Sequence, residues 1–294
     1  MATSSRKGGF FALIGTLVVV LALIGAGMGV YRWVTSQWAV TPVASTVRCE
    51  STIETKSASL AIDQAENASI IAAVAIQHGL IPRATSIALA TAFQESQIRN
   101  IDYGDRDSLG LFQQRPSQGW GTPEEIMDPY YSSAEFYDVL VTVDDWQSAD
   151  IGDVAQEVQR SGFPDAYDQH VSRARLLASA LSGETPASWS CIVRDPGPAD
   201  PSQLADELKQ GYGWAVDVSV TEATGADPAV LTVSAASEQA AWSAASFAQS
   251  WASRTGVTSV QVGDYQWTAS PTVLSGWIGL PETGGDPLTV TVSF

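Results

Sequence analysis

The sequence predicts an N-terminal transmembrane helix, a mainly α-helical domain and a small α+β C-terminal domain. Three observations support this fold class: an uncharged run near the N-terminus, apolar residues at helical spacing through the middle of the chain, and alternating apolar residues near its end. The predicted boundaries are 1–9 for a cytoplasmic N-terminus, 10–31 for the transmembrane helix, 32–58 for a stalk, 59–182 for the helical domain, 183–201 for a linker and 202–294 for the C-terminal domain.

The uncharged run is residues 10–31, which is about as long as the hydrocarbon core of a bilayer requires. Arg6 and Lys7 precede it, and basic residues favour the cytoplasmic side, so the remainder of the chain is expected outside the cell. A cleaved signal peptide is the alternative, which the length of the run disfavours. The sequence therefore predicts a single-pass protein of the cell membrane with an extracytoplasmic C-terminal region.

The net charge and the cysteines indicate what this protein can bind. A formal net charge of −17 makes nucleic acid an unlikely partner. Cys49 and Cys191 are the two cysteines of the chain, and neither a CxxC pair nor a histidine cluster indicates a metal site. In an exported chain the two cysteines are expected to form one disulfide, with two free thiols as the alternative. No metal and no cofactor are predicted.

Helical spacing of apolar residues begins at Leu60 and continues through Ile70 and Val74. Gly79 suits the end of this first helix, and Pro82 suits the first turn of a second one that runs to about Glu95. Further helices are predicted over "TPEEIMDPYYSSAEFYDVLVTV", "IGDVAQEVQRS" and "DAYDQHVSRARLLASAL".

Strand-like alternation appears beyond the proline-rich linker 183–201. The segments "WAVDVSV" and "LTVTVSF" alternate apolar and polar residues, and Gly263-Asp264 fits a hairpin turn. Ser237 opens a helix between the strands. Four tryptophans of this region are interpreted as core residues, with a glycan-binding platform as the alternative: Trp214, Trp242, Trp251 and Trp267.

The stretch "QESQIRNIDYGDRDSLGLFQ", Gln94 to Gln113, concentrates the candidate chemistry. Glu95 ends the apolar helical run "SIALATAF", and burial disfavours the charged form of a carboxyl, so its pKa is expected to rise and it can act as a general acid. The neutral amide of Gln113 and the glycines suit a hydroxyl-rich and acetamido-rich polymer, which favours glycan cleavage. A helix-capping ion pair between Glu95 and Arg99 is the alternative.

This stretch resembles the core motif of the lysozyme-like superfamily, specifically soluble lytic transglycosylases and goose-type lysozymes. In that motif an apolar helix ends in "ES", and "GL-[FM]-Q" follows a variable loop; here these are Glu95-Ser96 and Gly110 to Gln113. The segment "YGDR" resembles the "GDR" of goose-type lysozymes. With the following "QRPSQGWG", the chain also resembles membrane-anchored lysozyme-like proteins of actinobacteria. The resemblance covers about residues 60–181.

The resemblance implies a lysozyme-like domain that cleaves the β-1,4 bond between N-acetylmuramic acid and N-acetylglucosamine in peptidoglycan, with Glu95 as the general acid. A lytic transglycosylase would use Glu95 alone, whereas hydrolysis would use Asp105 as a second carboxylate, with Asp102 and Asp107 behind it. The residues expected to bind substrate are Ser96, Gly110, Leu111, Phe112, Gln113, Trp120 and Tyr167.

Two positions depart from the family pattern. Arg115 stands where goose-type lysozymes carry a further aspartate, which weakens the hydrolytic assignment. The "AYNAG"-like segment, whose tyrosine supports the catalytic glutamate in many lytic transglycosylases, is not recognisable; "VQRSGFPDAY" occupies about its place, and Gln159 or Tyr167 are the candidates to substitute.

Several alternatives stay open at this point. Trp120 either stacks on sugar or fills the core, and the aspartates near Asp105 form either a solvated turn or a weak calcium loop. Peptidoglycan glycan strands are the expected partner, and the C-terminal domain is a candidate contact for a cell-wall protein. The alternative function is a catalytically inactive lysozyme-like scaffold that binds peptidoglycan or a cell-wall or secretion partner.

Overall fold

The computed structural model describes residues 47–160, 164–225, 228–281 and 284–294. The fold is mixed α/β, with 45% helix, 20% strand and two antiparallel sheets. The predicted fold class is therefore wrong, because strands begin in the segment predicted as a stalk and a six-stranded sheet dominates the C-terminal part. Small and polar residues such as Ser51 and Ala58 occupy the buried face of the first strands, which obscured their alternation.

The predicted transmembrane helix, residues 10–31, lies outside the described residues. In the part of the chain that the structure describes, no helix is long and apolar enough to cross a membrane. The longest helix there, Ile62–Gln77, has 16 residues, fewer than the roughly 20 that a bilayer requires. This finding contradicts the predicted single-pass membrane location.

A three-stranded antiparallel sheet joins the beginning and the end of the helical segment. Its strands are β1 (Arg48–Ile53), β2 (Lys56–Ala61) and β3 (Trp189–Cys191), in the order β2-β1-β3. Cys49 lies directly opposite Cys191 in the β1–β3 ladder, and the two form a disulfide. The predicted disulfide is thus confirmed, and it ties together chain segments that are 142 positions apart.

The helices between and after these strands include the predicted ones, with two differences: Leu60 lies in β2, so the first helix begins at Ile62, and the segment predicted to be helical after Thr122 forms two helices. Pro82 occupies the first turn of its helix, as its fixed φ allows. Side-chain caps from Asp128, Asp150, Asp200 and Ser237 start four of the other helices. The bounds are α1 (Ile62–Gln77), α2 (Pro82–Ser96), α3 (Pro123–Ile126), α4 (Pro129–Leu140), α5 (Ile151–Gln159), α6 (Asp168–Leu181), α7 (Pro201–Tyr212), α8 (Glu238–Ser250) and α9 (Ala252–Thr255).

The second sheet has six strands and is antiparallel at every pairing described. The strands are β4 (Val216–Thr221), β5 (Val230–Ala235), β6 (Ser259–Val262), β7 (Tyr265–Thr268), β8 (Ile278–Gly279) and β9 (Thr289–Ser293). Their order in the sheet is β4-β5-β9-β6-β7-β8. The predicted hairpin turn at Gly263-Asp264 joins β6 and β7.

Residues on both sides of the predicted linker share one core within the compact unit Thr46–Phe294. Helix α1 packs against α8, where alanines allow the two backbones to approach closely. Two hydrogen bonds also join α8 to the chain before it: Ser243 Oγ donates to the Leu181 carbonyl at 2.6 Å, and Trp189 Nε1 donates to Ser250 Oγ at 3.0 Å. The predicted domain boundaries stay predictions, but the two predicted domains pack as one body.

The C-terminal tryptophans mostly fill this core. Trp242, Trp251 and Trp267 are buried, whereas Trp214 is exposed and donates its indole N–H to the Gln77 carbonyl at 2.8 Å. A buried indole offers no face to a sugar, so these three residues do not form an open glycan platform.

Reduction of the disulfide is expected to lower the free energy of unfolding by up to about 5 kcal/mol, because opening so long a loop restores conformational entropy to the unfolded chain. Urea unfolding monitored by tryptophan fluorescence, with and without dithiothreitol, measures the difference. Identical midpoints for the oxidised and reduced protein would contradict the expectation.

Candidate active site

Helix α2 carries Glu95 in its last turn, and residues 84–93 of the helix are buried in the core. Residues 87–90 and Phe93 are fully buried, so the helical turns that precede Glu95 are excluded from water. The left-handed conformation of Gln97 ends the helix immediately afterwards. Glu95 itself is half-buried, and burial raises the pKa of its carboxyl. The carboxyl is therefore biased toward the protonated form that a general acid needs.

Tyr167 forms a hydrogen bond with the Glu95 carboxyl. Its hydroxyl donates a hydrogen bond of 2.6 Å to Glu95 Oε1, which partly offsets the rise in the Glu95 pKa. Tyr167 precedes α6, which packs along α2, and its side chain is fully buried. This burial leaves Tyr167 as a positioning residue for Glu95 rather than as a surface that touches substrate.

The alternative pairing of Glu95 with Arg99 does not form. Arg99 Nε lies 2.9 Å from Asp63 Oδ2 at the start of α1, and this salt bridge is largely exposed. Among the hydrogen bonds and ion pairs of the described residues, the Glu95 carboxyl pairs with Tyr167.

The loop after α2 returns to the helix end through Ser96. Ser96 Oγ donates to the Leu111 carbonyl at 2.7 Å, and Leu109 and Gln114 form an isolated antiparallel bridge beside it. Gly110 has φ +76°, and a Cβ at this position would lie 2.7 Å from the Ile126 carbonyl oxygen. Ser96, Gly110 and Leu111, which were expected to bind substrate, are therefore buried parts of the loop framework.

Phe112 and Gln113, which follow Leu111 in this loop, line a cleft. The Phe112 ring stacks on Phe136 with centroids 4.6 Å apart, and the Phe112 carbonyl accepts a hydrogen bond of 2.8 Å from Gln159 Nε2. Gln113 has φ +48°, and its amide donates to the Tyr103 carbonyl at 3.3 Å. Gln159 thus fixes the backbone of the "GLFQ" segment from α5.

A cleft of about 430 Å³ opens over Glu95. A neighbouring cleft of about 390 Å³ continues from it, since the two share Trp120, Gln118, Gln159 and Arg160 as lining residues. Trp120 is half-buried: it packs against the core and also lines both clefts. Trp120 therefore contributes to the core, and its stacking on sugar stays a prediction.

The aspartates of the loop differ in their surroundings. The Asp105 side chain is 93% exposed at the rim of the cleft, and Arg106 Nε lies 3.9 Å from it. Asp107 instead accepts hydrogen bonds from Ser117 N and Arg115 Nε, each at 2.8 Å, and these bonds hold its pKa well below the usual range. Asp107 is thus a structural clamp that stays ionised.

Three cationic side chains that line the cleft were not among the site residues predicted from the sequence: Arg106, Arg115 and Arg160. Arg115, noted in the sequence as a departure from the goose-type pattern, clamps Asp107. Arg160 ends α5 in a left-handed conformation far from the motif, so nothing local in the sequence indicated its position. Within the described ranges, no group of three or more His, Cys, Asp or Glu side chains could hold a metal ion.

Replacing Glu95 with Gln is expected to stabilise the protein above neutral pH. The folded-state pKa of Glu95 lies above its unfolded value, so its contribution to stability is fully present below the unfolded pKa and is lost as pH rises through the folded pKa. Glutamine mimics the protonated acid at every pH. The melting temperature of Glu95→Gln should exceed that of wild type at pH 8 and converge on it toward pH 4.

The exposed Glu222 provides the matched control, because Glu222→Gln makes the same chemical change in a surface loop. A melting temperature of Glu95→Gln at or below that of wild type at pH 8 would show that burial does not strain the ionised carboxyl.

Gly110→Ala is expected to lower the free energy of unfolding by at least about 1–2 kcal/mol, the cost of a left-handed backbone for alanine, with a further loss from the clash with the Ile126 carbonyl. Gly119 is the control, since its φ of +87° carries the same backbone cost but nothing lies within 4 Å of an added Cβ. Urea unfolding of both variants checks this. Equal losses would mean that Gly110 is not held tightly against Ile126.

Comparison with protein-family models finds none that matches this chain. Comparison with curated proteins likewise finds no match. The functional interpretation of the cleft therefore rests on its geometry, on its electrostatics and on the motif that Glu95 belongs to.

Proposed function

We propose that the protein cleaves the β-1,4 bond between N-acetylmuramic acid and N-acetylglucosamine in peptidoglycan, as members of the lysozyme-like superfamily do, with Glu95 as general acid and base. One observation carries the proposal: a carboxyl whose pKa is raised by burial opens into a cleft and is held by a buried tyrosine hydroxyl. A glycosidase acid needs this combination, because it must be protonated near neutral pH and aimed at the leaving oxygen.

The reaction begins with protonated Glu95 giving its proton to the glycosidic oxygen. The bond from that oxygen to the anomeric carbon breaks, the electron pair leaves with the oxygen, and positive charge develops on the muramic ring. Ionised Glu95 then takes the proton of the muramic C6 hydroxyl as that oxygen attacks the anomeric carbon. The product is a 1,6-anhydro ring, and no water is consumed.

The surroundings of the aspartates favour this one-carboxylate route over hydrolysis. Asp107 is occupied by Arg115 and Ser117, and Asp105 is almost fully exposed on the loop. A base that activates water works best when packing or hydrogen bonds fix its orientation. Tyr167, in contrast, remains hydrogen-bonded to Glu95 and can stabilise the carboxylate that forms after the first proton transfer.

The lining of the cleft suits a sugar polymer with acetamido groups. Gln113, Gln118 and Gln159 line it with neutral amides, which can both donate and accept hydrogen bonds. Trp120 lines both this cleft and its continuation, so it can contact a sugar between them. The disulfide between Cys49 and Cys191 fits an oxidising environment such as the outside of a cell, where peptidoglycan lies.

Purified peptidoglycan incubated with the full chain, followed by mass spectrometry of released fragments, tests the proposal. Wild type should release muropeptides that are one water lighter than hydrolysis would give. Glu95→Gln should lose activity by at least about 100-fold, because proton transfer to the leaving oxygen is lost. Asp105→Asn should keep most of the activity, and Glu222→Gln all of it.

Other outcomes would contradict parts of the proposal. Fragments with reducing ends, together with loss of activity in Asp105→Asn, would mean hydrolysis with Asp105 as the base. Absence of fragments from wild type, with the protein sedimenting on peptidoglycan, would mean the alternative function, an inactive scaffold that binds the wall.

A further inference from the structure

A second and larger cleft, of about 630 Å³, lies at the other end of α2 from Glu95. Pro82, Arg83 and Ser86 from the first turns of α2 form one wall, and residues from the β1–β2 turn region and from α6 form others. Since an α-helix rises 1.5 Å per residue, these three residues lie about 14–20 Å along the helix axis from Glu95. The two clefts have no lining residue in common.

Three cationic side chains from three different elements meet at this cleft: Lys56 of β2, Arg83 of α2 and Arg175 of α6. They are a quarter of the twelve basic residues beyond position 46, the fifteen of the chain less Arg6, Lys7 and Arg32. The chain as a whole has a net charge of −17, so such a concentration of positive charge stands out against the acidic remainder of the surface.

These three cations are not neutralised by carboxylates of the described residues. The salt bridges found there involve other basic residues, and none includes Lys56, Arg83 or Arg175. Arg83 donates to the carbonyls of Trp146, at 3.0 Å from Nε, and of Ala149, which fixes its guanidinium without cancelling its charge. The N-terminal end of α2 adds a partial positive charge to the same wall.

The other residues that line this cleft indicate which kind of anion it can bind. Ile53, Ile151 and Leu176 supply apolar surface, which a phosphate or a sulfate would not use. Glu184, the one carboxylate among the residues lining this cleft, accepts a hydrogen bond of 2.8 Å from Ser179 Oγ and would repel a dianion. A peptide offers carboxylates for the cations, N–H groups for Glu184 and small apolar side chains for the walls.

We propose that this cleft is a binding site for a short acidic peptide, with Lys56 and Arg175 contacting its carboxylates and Glu184 its amino or amide groups. Arg83 supplies positive charge from a fixed position on the wall. The site is independent of Glu95 and of the glycosidase proposal, because neither Glu95 nor Tyr167 lines it.

Isothermal titration calorimetry of the full chain with the peptide Ala-Glu-Ala-Glu, carrying free termini, tests the site. Lys56→Gln and Arg175→Gln should each weaken binding by about tenfold, because each removes a charge-assisted hydrogen bond. Both side chains are exposed, so the variants should melt as wild type does. The peptide Ala-Gln-Ala-Gln, which also has free termini and carries no net charge, should bind far more weakly than the acidic one.

Matched variants distinguish binding in this cleft from binding over Glu95 or to exposed cations in general. Lys209→Gln removes an exposed cation elsewhere, and Arg160→Gln removes one from the cleft over Glu95; both should leave the peptide affinity unchanged, as should Glu95→Gln. Weakening by Arg160→Gln but not by Arg175→Gln would place the peptide in the other cleft and overturn the proposal. Displacement of the peptide by equimolar inorganic phosphate would overturn it in favour of a phosphate site.

Discussion

Partial burial of the Glu95 carboxyl at the end of α2 sets the chemistry of the candidate active site. The preceding residues of that helix must be apolar to join the core, and the same packing removes water from one side of the carboxyl. Burial alone would raise the pKa further, and the Tyr167 hydroxyl moderates the rise while fixing the orientation of the group. The packing of α2 against α6 thus determines both the pKa and the orientation of the Glu95 carboxyl.

The loop after Glu95 is fixed by three contacts. Ser96 Oγ bonds the Leu111 carbonyl, and Gly110 allows the loop to pass close to the Ile126 carbonyl. The Asp107–Arg115 pair joins two further positions of the loop. Each contact engages a residue that composition alone would place in a flexible polar loop. This frame leaves neutral amides and Trp120 lining the cleft, while the Asp107–Arg115 pair neutralises one of the loop carboxylates.

Local signals predicted the helix that carries Glu95 and the hairpin at Gly263-Asp264. The pairing of Cys49 with Cys191 was predicted from the cysteine count, since the chain has two cysteines. The features that sequence reasoning missed depend on tertiary contacts. The first two strands of the small sheet bury Ser51 and Ala58 beside Cys49 and Leu60, so their apolar alternation is weak. Alanines of α1 and α8 form much of the contact between the two predicted domains, and alanine is a weak hydrophobic signal. The sequence named both Gln159 and Tyr167 as candidates to support Glu95, and residue spacing could not choose between them. The packing of α6 on α2 brings the Tyr167 hydroxyl to Glu95, whereas Gln159 bonds the Phe112 carbonyl.

Titration of the Glu95 side-chain carboxyl by carbon-detected NMR, in wild type and in Tyr167→Phe, tests the central claim most directly. Burial is expected to place the midpoint in wild type above that of an exposed glutamate, and loss of the Tyr167 hydrogen bond should raise it further, since that bond favours the ionised form. A midpoint at or below the ordinary value, unchanged by Tyr167→Phe, would contradict an account in which packing prepares Glu95 to donate a proton.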